Sequence, residues 1–262
     1  MGLHLKDKSI GLVLSGGGVR GMAHIGAIRA LEEYGISAQI VSGSSVGALV
    51  GALYANRTPI ADMLSFFKET PLFRYDFFTI VKPGLVDTER YMDVFQKYFP
   101  LRFDALQREL FVVATNMQKG EEEFFHEGEL LRPLLASAAL PPVFSPLEIN
   151  NCFYADGGIM NNFPLEPLRN KVEFVIGSNV SVIKQVAKKE INSSLQLATR
   201  TTSLMIYAIN RHKISQCDLI FEPEELEKIG VLDKKSIEKA YVIGYDHAAR
   251  KLEDLTVHHT SS

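Results

Sequence analysis

Two glycine-rich turns and one aspartate carry most of the chemistry available to this sequence. The first turn is Gly43-Ser44-Ser45-Val46-Gly47, a G-x-S-x-G pattern between an apolar run and a helical one. A serine held between two glycines at a strand-to-helix turn is exposed on a sharp bend where neighbouring backbone can pass closely. The positive end of the following helix then faces it and favours an alkoxide or oxyanion. Ser45 has the central place and reads as a nucleophile, whereas Ser44 lies off centre. The second turn is Gly16-Gly17-Gly18-Val19-Arg20-Gly21, where N–H groups can face an anion without Cβ obstruction. No acidic residue falls between Lys8 and Leu31, so the local field suits negative charge. The aspartate is Asp156 in Tyr154-Ala155-Asp156-Gly157-Gly158. A carboxylate released from a strand into a glycine turn reads as a base, and equally as a turn cap.

The glycine turn also fits a dinucleotide fingerprint, which would require an acid about 20 residues onward for the ribose. The second strand instead ends at Ser42-Gly43 without one, and no Gly-Lys-Ser/Thr follows for Walker-type phosphate binding. His212 and His247 follow Asp156, so chain order alone permits a Ser-Asp-His triad of the α/β-hydrolase kind. Neither sits in a turn, and both read as surface residues of amphipathic helices. His24 reads as a helix-face residue near the glycine turn.

The elements that must position these groups alternate. Residues 10–14 are a short apolar run ended by glycines, a buried strand. From 21 to 34, Met22, Ile25, Ile28, Leu31 and Tyr34 recur at helical spacing until Gly35 stops the helix. A strand over 39–42 and a helix over 45–55 follow. Strands are expected at 110–115 and 174–177, and long helices at 190–212 and 234–252. Such alternation predicts a mainly parallel sheet with helices on both faces, a three-layer α/β/α fold. The chain reads as one domain over 1–262 with a polar tail at 256–262. Glu121-Glu122-Glu123 reads as a solvated hairpin turn. Phe73, Tyr75, Phe77 and Phe78, within 71–87, read as core, with an acyl pocket or lipid-facing lid as the competing reading.

Three blocks together resemble the bacterial patatin-like phospholipase family: GLVLSGGGVRGMAHIGAIRALEEYGI, SGSSVGALVGALYA and YADGGIMNNFPL. Ala136-Ser137-Ala138-Ala139-Leu140-Pro141, with Phe144 and Pro146, matches a fourth block of that family. The resemblance spans nearly the whole chain in order and spacing. It implies a serine acyl hydrolase of lipid esters, phospholipid or lysophospholipid, working through a Ser45–Asp156 dyad and an acyl-enzyme. It implies an oxyanion hole in the loop of Gly16, Gly17 and Gly18, and no cofactor or metal. Arg20 has two readings, contact with a phosphate headgroup or a salt bridge pinning the loop. The competing function class is a scaffold or regulatory protein that keeps the fold with little turnover.

Composition fits that reading. The chain has 262 residues, 28 basic against 31 acidic, 46% hydrophobic and 23% charged, as in ordinary globular proteins. The net charge of −3 argues against a nucleic-acid partner. Cys152 and Cys217 show no metal-ligand spacing, which suits a reducing cytoplasm. The start lacks a secretory pattern. The uncharged stretch 34–56 is long enough to span a bilayer but carries Gln39, serines and glycines. A soluble enzyme touching lipid only peripherally is therefore expected.

Overall fold

The computed structural model describes residue 5, residues 7–70 and residues 77–258. Strands β1 (Ile10–Leu14), β2 (Ile40–Ser44), β3 (Glu109–Asn116), β4 (Glu121–Phe125), β5 (Leu147–Ile149), β6 (Cys152–Asp156), β7 (Phe174–Ser178) and β8 (Leu219–Phe221) form one sheet. Its order is β5-β6-β3-β2-β1-β7-β8, with β4 also paired to β3. The β1/β2, β1/β7, β2/β3 and β7/β8 pairs are parallel; β3/β4, β3/β6 and β5/β6 are antiparallel. The sheet is thus mostly parallel, with an antiparallel margin that hydrophobic alternation did not disclose.

The helices are α1 (Met22–Glu33), α2 (Val46–Ala55), α3 (Ile60–Glu69), α4 (Met92–Phe95), α5 (Leu131–Ser137), α6 (Ser194–Ile214) and α7 (Ile237–His258). Successive residues of β1 point to opposite faces. Ile10, Leu12 and Leu14 enter the main core with Ile25 and Ile28 of α1, Leu53 of α2 and Ala248 of α7. Val13 faces the other way, onto Phe163, Leu165 and Leu168, with Ile214 at the end of α6 packed behind them. Both faces are covered, the second more thinly. Among the described residues no helix is long and apolar enough to cross a membrane.

Two local readings change. Glu121–Glu123 open strand β4 rather than forming a turn. The turn lies just before it, where Gly120 takes φ 70° and Asn116 Oδ1 accepts from the Gln118 and Lys119 N–H groups. Glu123 is retained in the strand because it accepts a 2.5 Å bond from the Tyr154 hydroxyl. In the aromatic segment, Phe77 is buried against Tyr91, with ring centroids 4.8 Å apart. Phe78 is about half exposed, and Ile80 and Val81 beyond it are fully exposed. Phe73 and Tyr75 lie outside the described residues, as does most of the expected polar tail. Its first residues, 256–258, continue α7.

Candidate active site

The register of β3 explains why Ser45 meets Asp156. β2 pairs in parallel with residues 109–113 of β3, and β6 pairs antiparallel with 114–116. Since β4 pairs with 112–116 and overlaps both, β2 and β6 must share the opposite edge of β3. They therefore run toward each other along one edge. Ser44 stands opposite Val113 and Asp156 opposite Ala114, so the two C-terminal ends abut. Two residues more than 100 positions apart are brought together by consecutive places on one strand.

Ser45 sits between β2 and α2 with φ 54° and ψ −127°. That is a rare conformation for a residue with a Cβ, and such strain gathers at functional sites. The turn is locked from several sides. Ser45 N–H donates to Ser137 Oγ at 2.9 Å, and Ala48 N–H donates back to the Ser45 carbonyl at 2.9 Å. A Cβ on Gly47 would overlap the Leu14 carbonyl oxygen, so the closing glycine of the motif is required by close approach to β1. The first turn of α2 has no acidic residue, leaving its positive end unopposed at Ser45.

Ser45 Oγ donates to Asp156 Oδ2 at 2.6 Å. The other carboxylate oxygen, Oδ1, accepts the Gly158 N–H at 2.7 Å. Asp156 is 3% exposed, and burial raises its carboxyl to about pH 6 against these two opposing hydrogen bonds. A bare buried carboxylate would be raised further, so Ser45 and Gly158 keep it ionisable near neutrality. The base and turn-cap readings of Asp156 are compatible: Oδ1 caps and Oδ2 faces the serine. Ser44, by contrast, is fully buried, and among the described residues its hydroxyl has no hydrogen-bond partner.

The glycine turn lies against Ser45: a Cβ on Gly16 would come within 3.1 Å of the Ser45 Cβ. Gly16 differs from the sequence expectation, because its N–H is spent on the Asn162 carbonyl at 3.1 Å. Its own carbonyl accepts from Ser181 Oγ at 2.7 Å. Among the described residues, no hydrogen bond takes the Gly17 or Gly18 N–H. Gly18 has φ 59°, and a Cβ on it would overlap the carbonyl oxygen of Val231, which accepts the Val19 N–H at 2.8 Å. Gly18→Ala should therefore lose about 1–2 kcal/mol of stability in chemical denaturation from the left-handed backbone alone. It should also lower kcat more than it raises KM, since the loop would be displaced. A fully active Gly18→Ala protein would dissociate the loop from the chemistry.

Arg20 is committed to the fold. Its Nε donates to the Ile229 carbonyl at 2.6 Å and an Nη to the Glu227 carbonyl at 3.2 Å. Carbonyls, not a salt bridge, pin the loop here. His24 is not on an open helix face but fully buried. Its ring joins Ser178 Oγ at 2.8 Å and the Ser15 carbonyl at 2.9 Å. Burial lowers its pKa to about 4, so it is neutral and holds the base of the loop to the end of β7. His212 is exposed on α6. His247 is half-buried and its Nε2 accepts the Glu222 N–H at 3.2 Å. No histidine bonds to Ser45 or Asp156 among the described residues.

Several groups that build the site are silent as motifs. Ser137 accepts from the Ser45 N–H, the Ser181 hydroxyl and the Asn162 amide donate to the Gly16 carbonyl, and the Ser178 hydroxyl meets the loop only through His24. Ser137, like Asn162, lay in a block already matched, at the end of helix α5, but nothing there marked its hydroxyl as a partner of the Ser45 N–H. Asn162 lay within a block already read, but nothing in it marked the residue as a clamp on the glycine turn.

Comparison with known proteins bears on the family and the fold. A family model described as patatin-like phospholipase matches residues 12–169. A protein named lysophospholipase nte1 from Neurospora crassa is 30% identical over 196 residues, covering 72% of this chain and 13% of its own length. An uncharacterized NTE family protein of Mycobacterium tuberculosis is 32% identical over 162 residues, 61% of this chain and 45% of that protein. The chain thus spans less than half the length of these curated relatives. The solved structure of VipD from Legionella pneumophila superposes with a TM-score of 0.55 at 18% identity, over 94% of this chain and 67% of that one, a likeness of fold.

Proposed function

Because the chain belongs to the patatin-like phospholipase family, we propose that it is a serine acyl hydrolase of lipid carboxylic esters, with Ser45 as nucleophile and Asp156 as base. The observation that carries this reading is the 2.6 Å bond from Ser45 Oγ to a buried, ionisable Asp156 carboxylate. As Ser45 Oγ bonds to the acyl carbon, its proton passes to Asp156 Oδ2 and the carbonyl oxygen becomes an oxyanion. The N–H groups of Gly17 and Gly18 stabilise that oxyanion; a single donor of this kind is typically worth a few kcal/mol. Collapse of the intermediate expels the alcohol of the lipid, which takes the proton from Asp156 and leaves an acyl-serine. Water then attacks the acyl carbon, again giving its proton to Asp156, and the fatty acid departs as Ser45 regains its hydrogen.

The cycle needs only groups of this chain and water. A fluorophosphonate probe tests it directly, since phosphonylation requires an activated serine. Peptide mapping should place the adduct on Ser45. An adduct on Ser44, or hydrolysis of p-nitrophenyl esters without any adduct, would contradict the assignment.

A further inference from the structure

Helix α6 is built the wrong way round for a soluble surface. A surface helix ordinarily turns its apolar stripe to the core and its polar residues to water. In α6 the most deeply buried of the described side chains are polar, Asn210 at 3% and Lys213 at 7% exposed, with Ile214 packed partly buried beside them. Asn210 Oδ1 accepts the Phe163 N–H, and Lys213 pairs with Glu166 at 2.7 Å. The residues turned outward are Leu197, Leu204, Met205 and Ile209, between 43% and 62% exposed. At 100° per residue these four share an arc of about 140°, with Thr201 and Ala208, also exposed, between them.

The charge around this stripe is predominantly basic. No acidic residue occurs in α6. Lys188 and Lys189, with Glu190 after them, are exposed before its start, and Arg211 is exposed near its end. Arg200 is excluded from that count, because it is held by the Lys184 carbonyl at 2.7 Å and by Glu227. An apolar stripe with cations at both ends complements an anionic bilayer, where acyl chains receive the stripe and headgroups the cations. It complements a second copy of itself poorly. Either orientation of paired α6 helices would set basic ends against basic ends, with no carboxylate on the helix to offset them.

We propose that the outward face of α6 docks this protein on an anionic lipid bilayer, which deepens the hydrolase reading by naming the surface that supplies substrate. The helix is tied to the site at both ends. Phe163, which Asn210 holds, follows Asn162, whose carbonyl takes the Gly16 N–H. Lys184, which Arg200 holds, lies three residues beyond Ser181, which donates to the Gly16 carbonyl. Through Arg200 and Asn210 the helix is thus fastened to the segments that hold the glycine turn.

The experiment compares wild type, Met205→Glu/Ile209→Glu and Ser45→Ala in co-sedimentation with vesicles. One set is phosphatidylcholine alone and the other phosphatidylcholine with phosphatidylglycerol at equal parts. Wild type should bind the anionic vesicles at least about tenfold more tightly than the neutral ones. The double variant should lose about tenfold or more of that affinity, with unchanged hydrolysis of a soluble p-nitrophenyl ester. Ser45→Ala should bind like wild type, since docking does not require turnover. Equal binding by wild type and the double variant would overturn the proposal, as would absence of wild-type binding. So would a dimer in sedimentation velocity that the double variant converts to monomer, which would assign the face to a second copy. Failure of the hydrolase reading would look different: no ester turnover and no fluorophosphonate adduct, with vesicle binding intact.

Discussion

Ser45→Ala is expected to leave a folded chain whose ester hydrolysis has fallen by at least roughly 10⁴-fold, because removal of a nucleophile abolishes the acyl-enzyme route. The backbone geometry adds a second readout. Alanine keeps the Cβ at φ 54°, whereas glycine tolerates that conformation. Ser45→Gly should therefore be more stable than Ser45→Ala by about 1 kcal/mol, while both are equally inactive. Thermal melts and p-nitrophenyl ester assays on the two variants separate strain from chemistry. Equal stability of the pair would mean that the elbow conformation carries no strain.

Asp156→Asn is expected to lose about 10²–10⁴-fold in kcat, the usual cost of removing a general base, and to gain stability. The carboxyl is raised by burial to about 6 in the folded chain, against an ordinary value of 3.8. A raised carboxyl favours folding fully below its unfolded pKa, and that contribution is lost as pH rises through about 6. Above pH 6 the ionised carboxylate costs about 3 kcal/mol, a difference of roughly two pKa units. Asparagine never ionises and can donate to Ser45 Oγ, so the variant should melt higher than wild type at pH 8. Below pH 4 this advantage should vanish. In wild type, kcat/KM should fall as pH drops below about 6 and the base becomes protonated. A histidine would titrate nearby, so the position of that limb does not decide; His212→Ala and His247→Ala should stay within about tenfold of wild type. An inactive but folded histidine variant would restore a triad.

The first half of the fold was legible because its elements carry their own punctuation. The apolar run 10–14 became β1, and the helical spacing from Met22 ended near Gly35, as read. The strand at 110–115 emerged as β3 one residue longer at each end. The antiparallel margin was not legible. Three consecutive glutamates look like a turn, and only the hydroxyl of Tyr154 shows why one of them belongs in β4. The order of strands was equally hidden, because pairing of β6 beyond β2 on one edge of β3 is a long-range fact. In the site, Ser45 and Asp156 could be singled out by glycines beside them. Gly16 was grouped with its neighbours, although its N–H is used internally, and no local pattern reveals a hydrogen bond to Asn162.

That scattering of supports has a consequence for the order in which the molecule becomes competent. Ser45 and Asp156 are both made within the first three fifths of the chain, yet the loop beside Ser45 is fastened by the Ser178 carbonyl, Ser181, Ile229 and Val231. On a ribosome adding roughly 5–20 residues per second, the proposed nucleophile and base emerge well before the last of these fasteners. The glycine turn then has nothing to hold its N–H groups in place, and α1 still waits for α7. On the proposed mechanism, a nascent chain would carry Ser45 in a form unable to stabilise an oxyanion, so hydrolytic competence would arrive only after the residues that fasten the loop have been made.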